Sequence, residues 1–215
     1  MPQFSQDHHI KTYGPHGVDR EELFERSLGN DVTVALAREE DIDDIAYFMS
    51  LFGFFRSNSR GAPNLPFYVS PSLPLGAYSE TDIRSHLFKY TAAFFLLRKC
   101  DTPSALLSFR FPLPQYSYRA AVLELILSLY PKTVPHPILS ALLNFAFDCL
   151  PGVALVECTK VKGLVVKRSK GIRRICDFFI HNGFSKESTL RDEFGPKKDV
   201  IIFSRWFTQR GQQRI

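Results

Sequence analysis

The sequence predicts an α/β (α+β) domain: a mixed, mostly antiparallel central sheet with helices on both faces. Three observations point there. Three apolar runs of strand type arrive in succession, "AAFFLLRKC", "ALLSFRFPL" and "AAVLELILSLY", the first two joined by the turn "DTPS". Stretches with helical spacing lie both before and after them, giving the order β–α–α–β–β–β–α–β–α–β–β. The chain has 215 residues with 45% apolar and 23% charged, enough for one globular domain with a core of its own.

Taken in order, residues 1–30 read as an N-terminal extension, a polar arm followed by a short helix in "GVDREELFERSLGN" that stops at Gly29-Asn30. The main domain spans 31–210, with 211–215 as a tail. "VTVALA" alternates as a strand. "REEDIDDIAYFMSLFGFF" follows as a helix whose acidic first turn suits the helix dipole. Residues 56–78 are rich in proline, serine and glycine and read as a long loop. "SETDIRSHLFKY" opens with a capping box from Ser79 to Asp82. After the three strands comes "YPKTVPHPILSALLNFAF", a proline-bearing loop tipping into a helix with Ile138, Leu139, Leu142, Leu143 and Phe147 on one face. "VALVECTK" reads as a strand, Ser169 to Asn182 as a helix closed by Gly183, and "FSKESTLRDEF" and "DVIIFSRWF" as the last two strands.

The net charge of +5 fits an anionic ligand or an acidic partner and does not by itself argue for nucleic acid. Cys100, Cys149, Cys158 and Cys176 form no CxxC pair, so reduced structural thiols and a cytoplasmic location are expected. No run approaches a membrane span, so no membrane partner is expected. His8, His9 and His16 lack carboxylate or cysteine companions at ligand spacing, so no metal is expected either.

Two constellations carry chemistry. Glu124 is the one charged residue in Ala120–Tyr130. Strict alternation puts it on one face with Ile126, Ser128 and Tyr130, opposite Leu123, Leu125, Leu127 and Leu129. It reads either as a general base for an incoming amine, with Tyr130 beside it, or as a carboxylate paired with a neighbouring strand. The segment "KVKGLVVKRSKGIRR" carries Lys160, Lys162, Lys167, Arg168, Lys170, Arg173 and Arg174 without an acid. It reads as a phosphate contact, as a surface for RNA or an acidic protein, or as a solvated loop and helix start.

With these residues in view, the chain resembles the GNAT superfamily of acyl-CoA N-acyltransferases, most of all in "FFIHNGFSKESTLRDEFGPKKDVIIFSRWF" and in the entry "VTVALAREEDIDDIAYFM". That ending is similar to members acetylating protein N-termini or antibiotics. The resemblance implies acetyl-CoA as co-substrate, an amine-bearing protein or small molecule as acceptor, and a sheet that splays beside Leu127–Tyr130. The pantetheine arm would lie along Leu127, Ser128 and Leu129. The pyrophosphate would sit at a loop of pattern Q/R-x-x-G-x-G/A, and the nucleotide end near Lys167, Arg168 and Lys170. Counting back from "SALLNFAF" puts that pattern on Val134, Pro135, His136, Pro137, Ile138 and Leu139, with Ser140 following. Val134, Pro137 and Leu139 depart from it, and two prolines remove N–H donors, so the expected loop is stiffened and largely closed. Phe179 and Ile172 stand where many members carry a tyrosine acid and an asparagine. The resemblance therefore implies an acetyltransferase, and its departures imply a rival: a binding module of the same fold that does not turn over acetyl-CoA. The oligomeric state stays open.

Overall fold

The computed structural model describes residues 25–54, 66–73, 78–89, 91–112, 119–129, 137–153, 158–167 and 171–207. The strands are β1 (Glu25–Gly29), β2 (Val32–Leu36), β3 (Tyr68–Val69), β4 (Ala92–Lys99), β5 (Thr102–Arg110), β6 (Ala120–Ser128), β7 (Lys160–Val166), β8 (Ser185–Leu190) and β9 (Val200–Trp206). The helices are α1 (Ile42–Ser50), α2 (Glu80–Phe88), α3 (Pro137–Val153) and α4 (Ile172–His181). Among the described residues the sheet runs β1-β2-β4-β5-β6-β7-β9-β8, with β3 attached to β6 off that path. Every pairing is antiparallel except β6 with β7.

Turn chemistry sets the two-residue connections. Asn30 and Asp31 adopt φ of 51° and 56°, and Cys100 and Asp101 adopt 48° and 60°. Paired left-handed residues are what tight hairpins with a right-handed strand twist require. This corrects two expectations: Glu25–Gly29 is a strand rather than the end of a helix, because the Asn30-Asp31 turn folds it back onto β2. The β4–β5 turn is likewise Cys100-Asp101 rather than "DTPS". Helix α2 starts as expected, with the Ser79 hydroxyl accepting from Asp82 N–H at 3.2 Å. Helix α1 follows a 3₁₀ turn at Glu39–Asp41, and Arg98 of β4 ties both to the sheet through Asp41 (2.5 Å) and Asp44 (3.0 Å).

The sheet has a core on each face. One gathers Phe95, Phe109, Leu123 and Ile126 under α3 and α4, and the other gathers Phe94, Leu106, Leu125 and Leu127 under α1 and α2. The change of parity between Leu123 and Leu125 has a local cause. Pairing to β5 jumps from Ser108↔Leu125 to Phe109↔Leu123, so Glu124 is the extra residue of a β-bulge. The expected alternation through Ala120–Tyr130 is therefore broken at Glu124. Leu123 shares its face with Ile126, while Leu125 and Leu127 share the other.

The parallel strand after α3 is also displaced from its expected place. It occupies Lys160–Val166, whereas "VALVECTK" precedes it and overlaps it only at Lys160. Its burial alternates strictly, with Val161, Gly163 and Val165 inward. The lysines Lys160 and Lys162 point to the other face, where Glu187 of β8 receives both at 2.5 and 3.9 Å. Half of the basic segment is thus a strand whose charges are already paired.

Candidate active site

β6 and β7 pair only at Ala120↔Lys160, Ala121↔Val161 and Val122↔Lys162, after which the two parallel strands part. The expected splay is present. Its interior is not empty, because β3 lies in it. Tyr68 pairs with Ile126 and Val69 with Leu125. Phe67 N–H donates to Ile126 O at 3.0 Å, and Ser70 N–H donates to Glu124 O at 2.7 Å.

Tyr68 fills the apex. Its hydroxyl accepts from Leu164 N–H at 3.0 Å and donates to Leu164 O at 3.0 Å, with Leu123 O at 3.3 Å. One side chain therefore satisfies backbone groups that the parting strands would otherwise leave buried and unmade. The ring meets Phe179 edge-on at 5.3 Å, and burial pushes the phenol well above its ordinary pKa, so it stays neutral. Phe67 lies between Phe178 (5.1 Å) and the Arg174 guanidinium (4.8 Å to the ring centre). Leu73 joins the opposite core. Residues 66–73 thus cross from the α4 side of the sheet to the α1 side through the splay.

The bulge residue Glu124 is 2% exposed. Its carboxylate accepts from Tyr78 hydroxyl at 2.8 Å and pairs with Arg110 Nε at 2.6 Å. Burial raises its pKa, and the Arg110 charge and the Tyr78 hydrogen bond offset only part of that rise. Next to Tyr78 stands His86, whose Nδ1 meets Thr91 Oγ1 at 2.9 Å and whose pKa is lowered, first by burial and then by Arg110. Arg110 is half-exposed and forms the solvent-facing end of this cluster.

At the far end of β6, Leu127 is buried, Ser128 half-buried and Leu129 exposed. Past Ile126 no strand lies against the β7-facing edge of β6 among the described residues. Pro137 opens α3, where a missing N–H costs the helix nothing. Leu139 is buried in the core under α3, and Ile138 packs at its margin. Ser140 Oγ is enclosed without a hydrogen-bond partner. Tyr130, Val134, His136, Arg168 and Lys170 lie outside the described residues. Lys167 stands after β7, with Nζ 3.6 Å from Asp199.

On α4, Phe179 is fully buried in a ring cluster with Phe184 and Phe203, and a Cβ on Gly163 would come within 2.6 Å of its Cζ. Ile172 packs at the margin of the same core. The four cysteines are free thiols; Cys149 is buried, and burial pushes its pKa up to about 12. Among the described residues no His, Cys, Asp and Glu cluster could hold a metal, and no helix is long and apolar enough to cross a membrane.

Sequence reasoning missed Tyr68, Ser70 and Tyr78, all from the loop 56–78 to which it gave no role. The available signal was "NLPFYVSPS", an aromatic and β-branched run too short to stand out between prolines.

The fold matches the GNAT superfamily. No family profile matches the sequence, and no curated protein matches it either. Solved structures do. A protein from Desulfovibrio desulfuricans assigned to the GNAT family of acetyltransferases aligns over 82% of this chain and 99% of its own, at 16% identity and TM-score 0.57. Ribosomal-protein-S5-alanine acetyltransferase from Vibrio fischeri aligns over 86% and 97%, at 14% identity and TM-score 0.55. Spermidine N-acetyltransferase from Vibrio cholerae, solved with CoA and spermine, aligns over 83% and 97%, at 15% identity and TM-score 0.54.

Proposed function

We propose that this protein is an acyl-CoA-dependent N-acyltransferase that moves an acetyl group onto an amine of a protein N-terminus, a lysine or a small molecule. The observation that carries the reading is the divergence of β6 from β7 past Val122, with a buried carboxylate on a bulge two residues further along β6. The pantetheine arm of acetyl-CoA would lie along Leu127, Ser128 and Leu129. The acceptor nitrogen attacks the thioester carbon, a C–N bond forms, the C–S bond breaks, and the thiolate leaves. Glu124 takes the proton that the amine gives up. Burial raises its pKa in the direction of the working pH, where a general base is most effective. Tyr78 and Arg110 hold the carboxylate in place, and fixed geometry supplies much of the remaining acceleration. Similarity to an N-terminal acetyltransferase and to a spermidine acetyltransferase supports an amine acceptor without choosing between them.

A second reading, a module of this fold that does not turn over acetyl-CoA, is favoured by one observation: Tyr68 and its neighbours fill the splay. Calorimetric titration with acetyl-CoA, followed by turnover assays on an N-terminal peptide and on spermidine, separates the two. The enzyme reading expects heat of binding and a rate that Glu124→Gln lowers by about 10²–10⁴. No heat and no turnover would sink it and leave the second reading standing.

A further inference from the structure

We propose that residues 66–73 are a latched strap occupying the acyl-transfer cleft, that the strap opens independently of the sheet, and that the Tyr68 hydroxyl is its latch. The claim about cleft access rests on the acyl-transfer reading above; the claim about the latch does not. The geometry points to an occupant rather than a permanent strand. The sheet is continuous without it, since β6 is held by β5 and β7 by β9, and β3 is attached off that path. Its backbone purchase on β6 is a two-residue ladder, with Phe67 N–H on Ile126 O and Ser70 N–H on Glu124 O. Removing it breaks no other strand pairing.

What it covers is the part of β6 on which the chemistry depends. Ser70 caps the carbonyl of Glu124 itself, and Tyr68 runs from the level of Ile126 back to Leu164 at the point where β7 departs. An acyl thioester lying along Leu127–Leu129 would bring its reacting carbon next to this segment. The strap and a reacting acyl group therefore compete for one space.

The latch is polar and local. Tyr68 links the strap to β7 through one donated and one accepted hydrogen bond at Leu164. On the α4 side the strap is also held by the Tyr68 ring on Phe179 and by Phe67 between Phe178 and Arg174. A short segment held by few backbone bonds is the kind of unit that opens below the free energy of global unfolding.

If opening must precede binding, apparent affinity scales with the open fraction. That identity supplies the test. Tyr68→Phe keeps the ring on Phe179 and deletes the hydroxyl. Amide hydrogen exchange at Phe67 and Ser70 is read by NMR, with Phe95 and Leu107 amides as the sheet reference. Acetyl-CoA affinity is measured on the same samples. The expected result is strap amides much less protected than the reference amides in the parent, and strap exchange faster by about tenfold in the variant, the size of one net buried hydrogen bond. Affinity should tighten by the same factor. Phe67→Ala should move both readouts in the same direction, which guards against a Tyr68→Phe protein that folds poorly.

Unchanged strap exchange overturns the latch. Strap and reference amides protected to the same degree in the parent also overturn it, because the strap would then open only together with the sheet. Faster strap exchange with unchanged affinity overturns the competition for the cleft. Faster strap exchange in a protein that binds no acetyl-CoA in either form supports the latch and overturns the acyl-transfer reading instead.

Discussion

Along its β5 edge, β6 stays in register from Val122 to Ser128, with one bulge at Glu124; along its β7 edge it is paired over Ala120–Val122 and then released. Both edges belong to the same apolar run. The β5 edge is supported by an antiparallel neighbour whose ladder runs to Ser128 and is interrupted only by the bulge. The β7 edge faces a strand that arrives after a helical crossover, and past Lys162 the job of satisfying backbone groups passes to a tyrosine hydroxyl and two amides from the 66–73 segment. A strand edge in a buried sheet has to be covered by something, and here the cover comes from a distant part of the same chain.

The sharpest way to break this contrast is Phe179→Ala. The ring is fully buried against Tyr68, Phe184 and Phe203, so its loss should cost about 3–5 kcal/mol in urea unfolding. Amides of β7 and of residues 66–73 should lose protection before those of β4 and β5; loss in the reverse order would mean the two edges are not separately supported. Gly163→Ala attacks the same junction from the strand side. The new Cβ would meet the Phe179 ring at 2.6 Å, and the expected destabilisation is about 1–3 kcal/mol. A variant as stable as the parent would show that the ring has room to retreat.

Glu124→Gln sharpens the contrast through pH. Glu124 has a raised pKa in the folded protein, so the folded state binds its proton more tightly than the unfolded chain does. Its contribution to stability is fully present below the unfolded carboxylate pKa and is lost as pH rises through the folded value. Glutamine keeps an acceptor for Tyr78 and does not titrate. The variant should therefore gain stability relative to the parent as pH rises through that window. A difference that stays flat with pH would contradict the burial-driven shift. The smallest effect is expected at Lys167→Ala, within about 0.5 kcal/mol in stability because the side chain is exposed and its bond to Asp199 is long. Its readout is the salt dependence of acetyl-CoA affinity, which should become shallower if the lysine lies near phosphate.

Much of the fold was legible because local signals agreed with it. The three successive apolar runs became β4, β5 and β6, and Ser79 and Gly183 sit at the helix ends their chemistry predicts. What was not legible had physical causes. A bulge shifts side-chain parity without changing composition, so nothing in "AAVLELILSLY" announces that Glu124 is the extra residue. "VALVECTK" and "KVKGLVV" are both strand-like, and only the long-range partners β9 and β6 select the second. The carboxylate of the candidate site could be named from the sequence, but its partners Tyr78 and Arg110 could not, since one comes from a loop and the other from the neighbouring strand.

The 96 residues that separate Tyr68 from Leu164 also bear on the order in which the molecule assembles. The β4–β5 hairpin closes through a two-residue turn and can form early. The Tyr68 bond closes one of the longest loops in the chain, and it requires both β6 and β7 to be in place beforehand, so loop-closure entropy postpones it. Interactions made after the transition state govern how fast the native protein comes apart and leave the rate of its formation nearly untouched. The tyrosine in the splay is thus a determinant of lifetime rather than of folding speed.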